Sequence, residues 1–348
     1  MSALLELSDL AVTYPAPGRR SAPLRAVDGV SLRVEPGETV GLVGESGSGK
    51  STIGRAVLGL TRAAEGRISF DGADITRASA RVRRALASDL QVVFQDPYSS
   101  LNPSHPVGKT LAEPLLRRKG TGRERAGAEI RRLLAAVGLP DDAADRHPAR
   151  FSGGQRQRVA IARALAVSPR LVVCDEPVSA LDVSTQAQVI NLLAALQAEL
   201  GVAYLFIAHD IAVVRHISHR VVVLYRGRVM ESGPAAEVCL RPSHPYTRAL
   251  VAAAPVPDPA LQRKRRQVRR ASVSTSTAAA VAVDGPGCPF APRCPHTAEV
   301  CWSTRPARTT VGQVELSCHR YDPGSGHPDA GAPLPGPSPA GNGHGRQP

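Results

Sequence analysis

The octapeptide Gly44-Glu45-Ser46-Gly47-Ser48-Gly49-Lys50-Ser51 lies between an apolar run, Thr39 to Val43, and a helical run, Thr52 to Leu60. No other stretch limits the fold as tightly. Its glycines let successive backbone N–H groups turn inward around phosphate oxygens, and the helix that follows offers its positive dipole end to the same place. Pattern and context together define a phosphate-binding loop, in which Lys50 reaches the β- and γ-phosphates of a nucleotide and the Ser51 hydroxyl ligates Mg²⁺. Strand, loop and helix in that order call for an α/β fold with a largely parallel sheet.

The rest of the chain agrees. From Leu4 to about Ala254, short apolar runs such as Leu90 to Phe94, Leu171 to Cys174 and Ala203 to Ile207 alternate with longer helical patterns. The fully apolar runs 171–174 and 221–224 suit central strands covered on both faces, whereas Leu5, Leu7, Leu10 and Val12 suit a half-exposed strand of an antiparallel outer sheet. Residues 97–165 lack clear strands but hold three helical stretches, Thr110 to Arg118, Arg123 to Val137 and Gln155 to Val167, which predicts a helical subdomain. After Pro255 come a basic run, a Ser/Thr/Ala stretch, a cysteine-bearing segment and a Gly/Pro/Ala tail with too little apolar surface to order itself. The expected organisation is a domain over 1–255, an extension over 256–322 and a disordered tail over 323–348.

Composition narrows the function classes. With 43% hydrophobic and 21% charged residues the chain is globular, while 3% aromatic residues and a single tryptophan, Trp302, speak against an aromatic platform for sugars or single-stranded nucleic acid. No run approaches the roughly 18 apolar residues of a membrane span, and Glu6 and Asp9 stand where a signal peptide would be basic and then apolar. The chain is therefore expected to stay in the cytosol. A net charge of +13 is spread along the sequence apart from Arg263, Lys264, Arg265, Arg266, Arg269 and Arg270, which read as a solvated linker or as a contact to anionic lipid or a partner.

A second chemical element follows the loop by about 120 residues. The apolar strand Leu171 to Cys174 ends in Asp175 and Glu176, and carboxylates at a buried strand end are costly unless a cation or a reaction uses them. Asp175 is placed to hold the water shell of Mg²⁺, and Glu176 to polarise a water for in-line attack on the γ-phosphorus. Between the two elements, Phe151-Ser152-Gly153-Gly154-Gln155 opens a helix and forms a second anion site.

This ordered set resembles the ATP-binding-cassette family, whose signature is usually Leu-Ser-Gly-Gly-Gln; Phe151 stands at the apolar position. The resemblance implies a RecA-like parallel-sheet core with an antiparallel β subdomain and a helical subdomain. It also implies a head-to-tail dimer in which ATP lies between one subunit's loop, Gly44 to Ser51 with Thr52, and the other's Ser152, Gly153, Gly154 and Gln155. By the same resemblance Gln95 touches Mg²⁺ and the attacking water, Ser179-Ala180-Leu181-Asp182 crosses the dimer interface, His209 meets the γ-phosphate and Tyr14 lies against adenine.

A narrower likeness rests on Phe94-Gln95-Asp96-Pro97, Ser99-Ser100-Leu101-Asn102-Pro103, Asp175 through Ser184 and Ser243-His244-Pro245-Tyr246-Thr247-Arg248-Ala249-Leu250. These are similar to the ATPase subunits of oligopeptide and dipeptide importers, a subgroup that also serves nickel and some sugars. Such a subunit sits on the cytoplasmic face of the cell membrane. It pairs with a second ATPase, two transmembrane permeases and an external peptide-binding protein, and does not bind nucleic acid. A soluble cassette ATPase acting on nucleic acid or ribosomes is the remaining class; such proteins usually carry two cassettes or a long coiled-coil insertion, and this chain has neither.

Six cysteines complete the inventory. Cys174 and Cys239 read as structural. Cys288, Cys294, Cys301 and Cys318, spaced C-x5-C-x6-C-x16-C, match no close-paired zinc pattern, so spacing says only that four thiolates can converge. The resemblance adds that some peptide-importer ATPases carry a four-cysteine [4Fe–4S] site in this region, which ranks iron–sulfur ahead of zinc and leaves unligated thiols as the alternative. His296 and His319 are substitute ligands that need no function. One departure lies just upstream, where Ser272 to Ala282 replaces a proline-rich entry.

Overall fold

The computed structural model describes residues 3–15, 23–96, 101–117, 122–254, 285–332 and 334. The basic run 263–270, the stretch 272–282 and the last residues of the tail, 335–348, lie outside the described residues. The chain divides into two compact units, Met1–Val229 and Met230–Pro348.

In the first unit the chain runs β1 (Leu5–Tyr14), β2 (Leu24–Val34), β3 (Thr39–Val43), α1 (Lys50–Val57), β4 (Glu65–Phe70), β5 (Ala73–Asp74), α2 (Ala80–Leu86) and β6 (Leu90–Val93). Helices α3 (Val107–Arg117), α4 (Arg123–Ala136) and α5 (Gly153–Leu165) follow. Then come β7 (Leu171–Asp175), α6 (Val183–Leu200), β8 (Ala203–Ala208), α7 (Ile211–Ile217) and β9 (Arg220–Tyr225). Five strands make a parallel sheet in the order β9-β3-β8-β7-β6. Strands β3 and β8 are buried at every residue, which is why their sequences are apolar without alternation. Between residues 101 and 165 the described residues form helices and 3₁₀ turns with no strand, as the sequence predicts.

The antiparallel sheet has the order β2-β1-β4-β5. In β1 the buried apolar residues change phase, from Leu5 and Leu7 to Leu10 and Val12. The register against β2 shifts between Leu7 and Leu10, and Asp9 adopts a left-handed φ of 47°. One extra residue therefore returns the apolar side chains to the same face. The inner face joins the parallel sheet in one core that includes Leu5, Leu10, Val30, Leu42, Ile68, Val173 and Leu205.

The second unit contains most of β10 (Arg228–Pro234), then α8 (Ala235–Leu240), α9 (Pro245–Ala253), α10 (Glu299–Ser303), β11 (Arg308–Val311) and β12 (Val314–Ser317). Strand β12 lies antiparallel between β10 and β11. Glu231, fully buried, fastens β10 to the start of α9 by accepting the backbone N–H groups of Ser243 at 2.7 Å and His244 at 3.0 Å. Burial raises its pKa against the pull of these bonds and of Thr247. The tail departs from expectation at its start: residues 323–332 form turns, and His327 and Leu334 are buried. Polar anchoring to Arg320 and Tyr321, rather than apolar mass, orders them.

Close packing between α7 and β3 gives a stability test. A Cβ on Gly41 would stand 2.1 Å from Val214 Cγ1 and 2.5 Å from Ser218 Oγ. We expect Gly41→Ala to cost about 1–3 kcal/mol, seen as a lower urea midpoint with unchanged m-value.

Candidate functional site

The phosphate loop joins the end of β3 to α1, and its shape depends on glycine. Gly49, the residue before α1, has a φ of 100°, and a Cβ there would lie 2.4 Å from the Ala26 carbonyl oxygen. The loop is tied down by Gly227, whose N–H donates to the Ser48 carbonyl at 2.9 Å. Lys50 is only 4% exposed and folds back on the loop, its Nζ donating to the carbonyls of Gly44 at 2.8 Å and Glu45 at 2.9 Å. Burial lowers its pKa, and the negative charges of Glu176, Asp175 and Glu45 oppose that shift. Glu45, Ser46 and Gly47 are solvent-accessible at the loop's rim, while Ser48 is buried.

The strands that follow bring the other predicted groups to this loop. Ser51 Oγ donates to Asp175 Oδ1 at 2.7 Å, so the two residues assigned to one cation meet although 124 positions separate them. Glu176, one residue beyond β7, has a left-handed φ of 49°, and its N–H bonds to the Ile207 carbonyl at 3.0 Å. Its Oε2 lies 3.3 Å from His209 Nδ1 just past β8. Gln95 follows β6 by two residues and is exposed. Tyr14, at the end of β1, meets the start of α1 through a 3.4 Å contact between its hydroxyl and Thr52 Oγ1. Burial works against ionisation of this phenol, but Thr52, Thr61 and Arg55 bring its pKa below the usual value.

The second anion element stands on the helical region. Ser152 caps α5, its Oγ accepting the Gln155 N–H at 3.3 Å while Gln155 Oε1 accepts the Ser152 N–H at 3.0 Å. This reciprocal capping starts the helix at Gly153, two residues earlier than periodicity alone suggests. Phe151 fills the apolar place of the signature and is buried. Arg156 holds the turn that precedes it, donating from Nε to the Pro148 carbonyl at 2.7 Å and from Nη2 to that of Ala149 at 3.2 Å. Sequence reasoning passed over this buried arginine, although its place beside Gln155 was the available signal. Asp182 caps α6 by accepting the Thr185 N–H at 2.9 Å and its hydroxyl at 2.7 Å.

In the second unit Cys288, Cys294, Cys301 and Cys318 line one cavity, with His244, His319, His327 and Arg320 also in its wall. Burial pushes the Cys288 thiol up to about 11 and that of Cys318 up to about 12, and the charges of neighbouring cysteines add to both shifts. Among the described residues no group of three or more His, Cys, Asp or Glu side chains is arranged to hold a metal ion. The four thiols share a chamber without being gathered as ligands. His296 is partly exposed; His319 donates from Nε2 to the Thr304 carbonyl at 2.8 Å. Cys174 and Cys239 are buried, and burial drives the Cys174 thiol upward.

A phosphate loop at the end of one parallel strand, with paired acids after a second and a histidine after a third, is the construction of a nucleotide-hydrolysing cassette. Residues 27–179 match the ABC transporter family, and residues 230–301 match the oligopeptide/dipeptide transporter C-terminal region. The oligopeptide transport ATP-binding proteins OppF of Salmonella typhimurium and Escherichia coli are each 44% identical over 329 residues, covering 92% of this chain and 97% of theirs. A dimeric ATP-binding cassette solved with ADP and Pi superposes with a TM-score of 0.60 at 31% identity, over 66% of this chain and 98% of its own. The chain belongs to the ATP-binding-cassette transporter family and is an ATPase, with ATP and Mg²⁺ as the ligands the family implies. Among the described residues no helix is long and apolar enough to cross a membrane.

The raised thiols carry a pH test. A thiol with pKa near 11 is about 10⁻³ thiolate at pH 8, and only the thiolate is alkylated. In reduced, metal-free folded protein Cys288 and Cys318 should react with iodoacetamide at least about 10²-fold more slowly than in urea, gaining about tenfold per pH unit between 8 and 10. Equal rates in both states would contradict the burial described.

Proposed function

We propose that the chain is the ATP-hydrolysing motor subunit of a binding-protein-dependent importer of oligopeptides or dipeptides, peripheral on the cytoplasmic face of the membrane. The observation that carries this reading is one chain holding both the Glu176–His209 pair at 3.3 Å beside the phosphate loop and a C-terminal region that matches oligopeptide/dipeptide transporters. The named relatives, oligopeptide transport ATP-binding proteins, support the same cargo.

The chemistry follows from the site. Backbone N–H groups of Gly44 to Ser51 cradle the phosphates, and Lys50 exchanges its loop carbonyls for β- and γ-phosphate oxygens, a charge-assisted contact. Ser51, Gln95 and Asp175 hold Mg²⁺, which offsets phosphate charge. Glu176 accepts the proton of the attacking water as its oxygen bonds to the γ-phosphorus and the bond to ADP breaks. His209 orients Glu176 and meets the γ-phosphate, and Tyr14 packs on adenine. Ser152 to Gln155 and Asp182 complete the site of a second ATPase subunit, in a heterodimer set against two permeases and served by an extracytoplasmic peptide-binding protein. ATP binding stabilises the closed dimer and hydrolysis releases it, so the motor biases the permeases without touching cargo.

The four cysteines carry the second part of the reading, a [4Fe–4S] cluster in preference to zinc. A zinc ion needs its sulfurs at about 2.3 Å from one centre. Four thiols lining one chamber support this reading, and since among the described residues none are already arranged around a metal ion, cluster binding has to draw them together. Protein purified without oxygen is expected to contain iron and sulfide in a near 4:1 ratio to chain, lost in Cys301→Ser. Zinc alone, or neither metal, would refute the cluster.

Uptake decides the motor and its cargo together. In cells whose only copy is Glu176→Gln, uptake of a labelled tripeptide should fall by about 10² or more with ATP binding retained, because the variant lacks the general base. Nickel uptake measured alongside should be unchanged. Loss of nickel uptake instead would move the cargo assignment to metal, and no change in either would remove Glu176 from its role.

A further inference from the structure

The tail segment made of residues 322–332 and Leu334 lies against the cysteine chamber, and its anchors are an unusual mixture. His327 is both part of the segment and part of the chamber wall. It is 6% exposed, donates from Nε2 to the His296 carbonyl at 2.9 Å and accepts the Asp329 N–H at Nδ1 at 3.1 Å. Both ring nitrogens are thereby engaged, which makes this imidazole a wall rather than a ligand.

The same segment fixes a second wall residue. Arg320 pairs with Asp329 and donates from Nε to the Ala332 carbonyl at 3.0 Å, while Gly331 N–H bonds to the Arg320 carbonyl at 2.9 Å. At the far end Leu334, 5% exposed, gives its N–H to the Tyr321 hydroxyl at 3.2 Å and receives Arg248 Nη2 on its carbonyl at 3.2 Å. Between these points residues 323, 324, 326, 328, 329, 331 and 332 are exposed. The segment is thus held by two buried side chains and a set of partly exposed hydrogen bonds. Such segments open locally at much lower free energy than a packed core.

We propose that residues 322–332 with Leu334 form a strap over the four-cysteine chamber, so that ions, reagents and oxidants reach its two buried thiols, Cys288 and Cys301, only when it lifts, while Cys294 and Cys318 stand partly exposed at its rim. The strap lifts without unfolding β12 or the core of the unit, and its loss also releases Arg320, a fixed positive charge beside thiols that become anionic when they react or bind metal. This holds whether the chamber carries a cluster or bare thiols, and its test is independent of metal.

The test is N-ethylmaleimide labelling of reduced, chelator-treated full-length protein at pH 8, read for each cysteine by mass spectrometry. Two variants are compared with the full chain: a truncation after Asp322, and Asp329→Ala with Leu334→Ala in the full chain. The buried Cys288 and Cys301 should label at least tenfold faster in both, with Cys174 and Cys239 unchanged. If the truncation unfolds the second unit, Cys239 labels as well and the double substitution decides. Unchanged rates at Cys288 and Cys301 in a double variant that keeps Cys239 protected would overturn the proposal.

Discussion

The positive charge of Lys50, almost removed from water, is the interaction on which the first unit is organised. A buried ammonium is tolerated only where dipoles or anions replace its hydration. Here the Gly44 and Glu45 carbonyls do so directly, with the carboxylates of Glu176 and Asp175 contributing from the end of β7, which β8 separates from β3. The order of the sheet meets that requirement. With β3, β8, β7 and β6 adjacent and parallel, the loop, His209, Asp175 with Glu176, and Gln95 all emerge at one carboxyl edge. Ligands of open α/β sheets bind at this edge, so the topology itself gathers the chemistry.

The conformation of Glu176 shows how tightly this gathering is enforced. A non-glycine residue at a φ of 49° is uncommon and persists when surrounding bonds determine it. Its N–H is held by Ile207, and its carbonyl receives both the N–H and the hydroxyl of Ser179, at 3.3 and 3.1 Å. The backbone from which the carboxylate reaches His209 is thus held in place by its own hydrogen bonds.

Much of this was legible because the signals are local. Apolar runs without alternation located β3, β7 and β8, and the phosphate loop announced both the strand before it and the helix after it. The Leu5, Leu7, Leu10 and Val12 run located an outer strand, but not its bulge, which depends on the left-handed Asp9 and the register shift against β2. What stayed hidden depends on partners far apart in sequence. Nothing near Arg156 says that it anchors the turn at Pro148, and the cysteine spacing does not reveal a shared chamber, because convergence there is set by β12 and α9. The tail was misjudged for a related reason: its composition is poor in apolar residues, but Arg320, Tyr321 and Arg248 supply polar anchors that a composition argument does not weigh.

One close approach in the helical region has a mechanical meaning. A Cβ on Gly154 would stand 2.3 Å from Thr185 Cγ2, so the first turns of α5 and α6 touch with no room for a side chain. Thr185 is also the residue that holds the Asp182 carboxylate. The signature turn and the Asp182 loop are thus geared through a single hydrogen-sized gap, and neither can rotate far without carrying the other.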